Sequence, residues 1–218
     1  MPAFPDGRLS GTVVPLDRAN VDTDAIFPKQ YGRSTARAGY GAVLFDSWRY
    51  LDPGDLDSDH ARRRPDPGFV LNDPRYRGAR VLLAGPNFGC GSSREHAVWA
   101  LRDWGFRAVV APGFGDIFRQ NGALNGVAPI ELPAAAVRTL FTLSQAQVLT
   151  ASIDLHAGTL QAGGHCFAFT LGPRERLLLS EDTDWIGATL AQRERIAAFE
   201  ARRLAAQPWL ARPWPATE

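Results

Sequence analysis

Two short apolar runs, Val81-Leu82-Leu83-Ala84 and Ala108-Val109-Val110-Ala111, flank a glycine-rich turn and a helical pattern, and this order does most to limit the fold. A run that is apolar at every position suits a strand buried on both faces. Two such strands joined through a helix form a parallel crossover. The helix reads from about Ser93 to Trp104 and is closed by Gly105. A second helix over Asp116–Asn121 and a third strand over Val127–Leu132 repeat the unit. Pro133 then opens a helix to Leu143, because proline suits the first helical position. The fold class implied is α/β.

The flanks are less regular. Arg8 to Leu16 reads as a first strand, with Pro15 at its end. Asn20-Val21-Asp22-Thr23-Asp24 supplies turn and N-cap residues on which a helical turn through Ala25-Ile26-Phe27 can start. Tyr31 to Tyr40 is a polar loop, and Gly41 to Trp48 turns apolar again. Asp52 to Gly68, rich in Asp, Arg and Pro, reads as a surface excursion that cannot bury itself. Gln147 to Leu171 is strand-like, with turns at Ala157-Gly158 and Gly163-Gly164 that make a late β-hairpin. Thr183 or Asp184 can cap a helix through Leu190, and an Arg-rich helix follows to about Leu204. The organisation expected is one domain over residues 1–206 and a tail over 207–218, either disordered or a docking strap.

Composition narrows the function. Lys plus Arg number 24 against 23 acidic residues, a balance with no electrostatic case for nucleic acid or an anionic membrane. The apolar runs are too short to cross a bilayer. Met1 to Asp6 lacks the basic-then-apolar pattern of a secretory signal, so a cytoplasmic location is expected. The two cysteines, Cys90 and Cys166, are too far apart to form a local metal-ligand pair. No metal site, four-cysteine zinc site or iron–sulfur cluster is expected on this chain alone. All the basic side chains but one are Arg, and the exception is Lys29. Either a compact ammonium is wanted there or a composition bias left one solvated charge.

The segment from Gly85 to His96 carries the chemistry. It follows a strand and opens a helix, where free backbone N–H groups and a partial positive charge are presented. Gly89 and Gly91 let the backbone approach a ligand without a Cβ clash, and Arg94 adds a planar fork suited to a carboxylate. Together these describe an anion site that also carries two hydroxyls. A purely structural reading competes: Ser92-Ser93-Arg94-Glu95 matches a capping box, with Ser92 as N-cap and Glu95 returning the bond. That reading leaves the glycines, the second serine and Arg94 unexplained. The segment is neither a P-loop nor a Gly-x-Ser-x-Gly nucleophile elbow.

Asn87-Phe88-Gly-Cys-Gly-Ser-Ser-Arg-Glu-His96 and Asn20-Val21-Asp-Thr-Asp-Ala-Ile-Phe-Pro-Lys-Gln30 resemble the two signature blocks of the 3-isopropylmalate dehydratase small-subunit family, within the aconitase superfamily. Gly41–Phe45, Ala111–Phe118 and Asp184–Leu190 are also similar, in the expected order, so the resemblance runs from about Leu9 to Arg202. It implies a swivelling β/β/α domain of the aconitase C-terminal-domain type, here with the late hairpin and C-terminal helices. It also implies a hydro-lyase interconverting 2-isopropylmalate and 3-isopropylmalate in leucine biosynthesis. The partner implied is a large subunit holding a [4Fe–4S] cluster, with no cofactor bound by this chain.

The resemblance assigns Ser92 as base and Arg94 as the group that binds a substrate carboxylate, with Ser93 and Gly91 of the same loop as further substrate contacts. It makes Asp24 face the active site, whereas Asp22 suits a cap. Lys29 lies inside the second block, and Arg37 lies on the loop that meets the variable part of the substrate, in contact with a carboxylate or solvated. Cys90 reads as a small residue filling a tight loop and His96 as a hydrogen-bonding packer. His165 and Cys166 read as structural, and Asn121 and Asn125 as turn residues or bridges between loops. Two stretches depart from the family pattern, Ser180–Asp184 and Gln120–Gly126. They keep open a sister activity on another 2-hydroxy dicarboxylate, such as homoaconitate, citramalate or a methylated malate. A reading of another class is a non-catalytic carboxylate-binding regulatory module.

Overall fold

The computed structural model describes residues 3–34, 36, 38–180 and 185–211. Its strands are β1 (Arg8–Leu16), β2 (Val81–Ala84), β3 (Ala108–Ala111), β4 (Ala128–Glu131), β5 (Thr150–Asp154), β6 (Thr159–Ala162) and β7 (His165–Ala168). Its helices are α1 (Thr23–Ile26), α2 (Asp46–Arg49), α3 (Glu95–Trp104), α4 (Asp116–Leu124), α5 (Ala134–Ala146), α6 (Pro173–Ser180), α7 (Trp185–Leu190) and α8 (Arg193–Ala206). Two compact units result, Met1–Asp182 and Thr183–Glu218.

The first unit is built on one sheet of order β4-β3-β2-β1-β5-β6-β7. β1 belongs to two kinds of sheet. Arg8 to Thr12 pair antiparallel with β5, and Val13 to Leu16 pair parallel with β2. The four parallel strands are the crossover units anticipated from the apolar runs, and every residue of β2 and β3 is buried. Period-two alternation sends Val14, Leu16, Leu82, Ala84, Val109 and Ala111 into one core. Val13, Val81, Leu83, Ala108, Val110 and Ile130 enter the other, under α5 and the antiparallel strands. The late hairpin is a three-stranded meander. Gly163 (φ 55°) and Gly164 (φ 80°) form its two-residue turn, left-handed at both positions as such turns require.

Three helix boundaries differ from expectation. α4 and α5 run on past Asn121 and Leu143, and α3 starts at Glu95 rather than Ser93. α6 has no counterpart in the sequence reading, because only Leu179 of its eight residues is buried and no periodicity marks it. Pro173 stands at its first position, and Glu175 accepts from the Gly172 N–H at 2.8 Å, holding its start. The Asp52–Gly68 excursion is mostly exposed, but the side chain of Arg63 turns inward and is only 6% exposed.

The second unit contains α7, α8 and a 3-10 turn over Pro208–Ala211, and α8 has no buried residue. The residues expected to cap α7, Thr183 and Asp184, lie outside the described residues, as does 212–218 of the tail.

Candidate functional site

The site lies where the two sequence blocks meet. Leu16 and Ala84 end the adjacent parallel strands β1 and β2 in register, so the loops that follow leave the sheet side by side. Ligand crevices of open α/β sheets form outside such carboxyl ends. The loops are zipped together by backbone bonds. Asn20 N–H donates to the Pro86 carbonyl (2.9 Å), Gly89 N–H to Val21 (2.7 Å) and Thr23 N–H to Cys90 (2.9 Å). Asn87 Nδ2 donates to Asn20 Oδ1 at 2.9 Å, and both asparagines take left-handed φ values of 60° and 54°. Phe88 then ties the pair to the loop after β3, donating to Gly113 O and accepting from Gly115 N–H.

Four side chains converge on this frame. Thr23 is 2% exposed. Its Oγ1 donates to the Ser92 carbonyl at 3.0 Å and lies 2.9 Å from Ser92 Oγ. A hydroxyl has one proton, so with Thr23 donating to the carbonyl the Ser92 hydroxyl donates to Thr23. Beside them Arg94 Nη1 is paired with Asp24 Oδ1. Asp22 is the N-cap of α1, accepting from Ala25 N–H at 2.6 Å, which leaves Asp24 free to turn outward to Arg94.

The capping-box reading of Ser92 does not hold. The N-cap of α3 is Arg94, with no side-chain cap bond. Glu95 is spent elsewhere, accepting from Asn125 Nδ2 at 2.8 Å. Ser92 and Ser93 are both exposed, and the backbone N–H groups of Ser92, Ser93, Glu95 and His96 have no acceptor among the described residues. The loop thus presents donors and a hydroxyl to solvent at the positive end of a ten-residue helix.

The two glycines divide the work differently from expectation. A Cβ on Gly89 would overlap the Phe118 ring, so this glycine serves packing within the chain and not approach to a ligand. Gly91 has space around it but adopts φ +91°, which the turn into Ser92 requires.

The remaining candidates fall into place individually. Lys29 is exposed, on a 3-10 turn over Lys29–Arg33 that begins two residues after α1 and the Phe27 cap. Arg37 lies outside the described residues. Cys90 is half-buried in the zipped loop, as a small filler there should be. His96 packs by its ring, stacked on Phe27 at 5.2 Å and tilted against Trp99 at 4.7 Å. His165 and Cys166 are exposed on β7. Asn125 is a bridge: it accepts from Trp99 Nε1 at 2.9 Å while binding Glu95 and the Asn121 carbonyl. Sequence reasoning misses the contact of Thr23 with Ser92. Its one signal is a β-branched hydroxyl between two exposed aspartates on a single helical turn.

Among the described residues no group of three or more His, Cys, Asp or Glu side chains converges as a metal site. The two thiols stand on different elements, one in the zipped loop and one on β7, so the donor set of this chain does not fit a four-thiolate cluster.

Comparison with known proteins identifies the family. The family model of the aconitase C-terminal domain matches residues 7–135. The model of the C-terminal domain of the 3-isopropylmalate dehydratase small subunit matches residues 186–213. The 3-isopropylmalate dehydratase small subunit of Methylibium petroleiphilum is 52% identical over 203 residues, covering 92% of this chain and 94% of that protein. The protein of the same name from Polaromonas naphthalenivorans is 51% identical, covering 92% and 94%. The crystal structure of a 3-isopropylmalate dehydratase from Methanocaldococcus jannaschii superposes with a TM-score of 0.58 at 24% identity, over 88% of this chain and 99% of that one, which fixes the fold as the aconitase C-terminal-domain type. The chain belongs to the family of 3-isopropylmalate dehydratase small subunits.

Proposed function

We propose that this chain is the small subunit of a two-subunit hydro-lyase that interconverts 2-isopropylmalate and 3-isopropylmalate by dehydration and rehydration, in the cytoplasm, for leucine biosynthesis. The observation that carries the reading is the convergence of Ser92 and Arg94 with Thr23 and Asp24 at the start of α3. The rest of the site comes from a large partner with a [4Fe–4S] cluster, which supplies the Lewis acid for the leaving hydroxyl. The name-bearing relatives cover more than nine-tenths of the chain and favour this substrate over homoaconitate, citramalate or methylated malates. They also disfavour a regulatory module without catalysis.

Within this reading Ser92 takes the proton from the carbon next to a substrate carboxylate. A serine hydroxyl is a weak base, and its alkoxide must be stabilised by donors already in place. Thr23 is such a donor. Its proton rests on the Ser92 carbonyl and can swing to Ser92 Oγ, since both acceptors lie within 3.0 Å. The unpaired N–H groups at the start of α3 add to the same field. Arg94 grips a carboxylate while Asp24 orients it.

Thr23→Val keeps the buried shape and removes the switching hydroxyl. It is expected to lower kcat by about tenfold to a hundredfold. The lost bond costs only ~1 kcal/mol of stability. Thermal melting separates the two effects: unchanged kcat with a lowered Tm would make Thr23 a packing residue.

Reconstitution tests the whole reading. The isolated chain is expected to be inert towards a panel of malate derivatives. Mixing it with a large subunit that holds an intact cluster should give turnover, fastest with 2-isopropylmalate. Preference for citramalate or homoaconitate would move the chain to a sister activity, and tight carboxylate binding by the isolated chain with no turnover after mixing would support the regulatory module.

A further inference from the structure

Arg63 comes from the polar excursion over Asp52–Gly68, yet its side chain is 6% exposed and lies on Asp46, 3% exposed, at the start of α2. Both terminal nitrogens reach that carboxylate, Nη1 to Oδ1 and Nη2 to Oδ2 at 3.1 Å. Nη2 also donates to the Asp52 carbonyl at 2.5 Å, and Nη1 lies 3.2 Å from His60 Nδ1. The Tyr50 ring sits 4.0 Å from the guanidinium carbon. A surface loop has no need to bury a cation. A buried ion pair adds little net stability, and its best-attested use is to fix geometry.

What it fixes is the turn over Lys29–Arg33. Tyr31 of that turn is 1% exposed, and its Oη is buried beside Asp46 and Arg63, in hydrogen-bond geometry with none of the described residues. Burial first, and then the Asp46 charge, push the pKa of this phenol above its ordinary value, so it stays neutral. A Cβ on Gly54 would overlap both Tyr31 Oη and Arg63 Nη1, so turn, excursion and cation meet at one point. Gln30 Nε2 closes the contact by donating to the Gly54 carbonyl at 3.2 Å. Apart from bonds inside the 3-10 turn itself, its described backbone bonds reach only its own flanks, Tyr31 N–H to Pro28 and Ser34 N–H to Tyr31. Lys29 and Arg33 are both exposed on it, and Phe27, just before the turn, stacks on His96 at 5.2 Å, in the first turn of α3 after Arg94. In the proposed reading Arg94 grips one end of a dicarboxylate, and an exposed cation on the neighbouring turn would complement the charge at its other end.

We propose that Arg63, with Asp46, is a positioning residue that clamps the Lys29–Arg33 turn from behind, so that Lys29 is held ready for the second carboxylate of the substrate. The proposal rests on the functional reading above, and the test separates the two. Arg63→Ala would strand a buried carboxylate, so the informative variants are Arg63→Lys and Gly54→Ala, the second of which disturbs the cluster while keeping both charges.

Limited trypsin digestion of the full chain needs no activity. Cleavage after Lys29 and Arg33 is expected to quicken about tenfold in both variants, because the turn opens locally, while cleavage after Arg107 is unchanged. Equal acceleration at all sites, or none at the turn, overturns the clamp. In the reconstituted enzyme KM is expected to rise about tenfold with kcat within twofold. That rise should largely vanish when Arg63→Lys is made in a Lys29→Met background. Effects that multiply independently overturn the link to Lys29. A wild-type pair that turns over none of the panel refutes the functional reading instead, and the digestion then decides the clamp alone.

Discussion

Ser92→Ala is expected to abolish turnover in the reconstituted enzyme, lowering kcat by about 10³-fold or more, while the variant chain still folds and still binds its large partner. The structure makes this a clean substitution. Ser92 is exposed, and it caps no helix. Its carbonyl keeps the bond from Thr23 Oγ1 when the side-chain hydroxyl is gone. The loss in stability is that of one half-exposed hydroxyl bond, about 1 kcal/mol or less. A change in Tm of more than a few degrees would point to a structural role. KM should change little, since Arg94 and the N–H groups proposed to hold the carboxylate remain. Near-normal turnover with a fully assembled variant would end the assignment of Ser92 as base. In that event the hydroxyl would be a bystander that merely satisfies Thr23.

Parts of this arrangement are legible in the residues alone and parts are not, for physical reasons. The parallel half of the sheet is, because strands buried on both faces must be apolar at every position, as Val81–Ala84 and Ala108–Ala111 are. The late turns are, because Gly163-Gly164 is what a tight hairpin demands. α6 is not, because a helix with one buried residue leaves no periodic trace. The role of Arg63 is not either. Local composition of the excursion says surface, and only the buried Asp46 on another element reverses that for a single side chain.

At the site, Ser92 and Arg94 can be named from the residue types and the family resemblance, and Asp22 from cap chemistry. The capping box is the false signal. Its spacing is right, but the chain leaves the loop through Arg94 and starts the helix at Glu95, whose carboxylate is taken by Asn125. Tertiary pairing overrides a local motif. Thr23 is hidden for the converse reason: its partner is 69 residues away, and nothing local says which of three polar neighbours turns inward. Gly89 misleads because its constraint comes from Phe118, on α4, 29 residues further along the chain.

Arg94→Lys is the second large effect, with an expected fall in kcat/KM of about a hundredfold, and Arg94→Ala should cost about 10³-fold. Arg94 gives one arm, Nη1, to Asp24, and its side chain is 29% exposed. The other edge of the guanidinium is therefore oriented and open, as a bidentate grip on a carboxylate requires. Lysine keeps the charge but has no fork, and its single ammonium cannot serve Asp24 and substrate in the same plane. If Arg94 acted only as positive charge near the loop, Lys would perform as Arg does, and kinetics within twofold of wild type would establish that weaker role. Arg94 stands at the N-cap with extended backbone and no side-chain cap bond, so neither substitution removes support from α3. A kinetic loss without a Tm change therefore reads the carboxylate grip itself. Asp24→Asn completes the logic: it leaves the fork charged but lets it swing, and the expected result is a smaller loss than Arg94→Lys, because orientation is weakened while both donor arms survive.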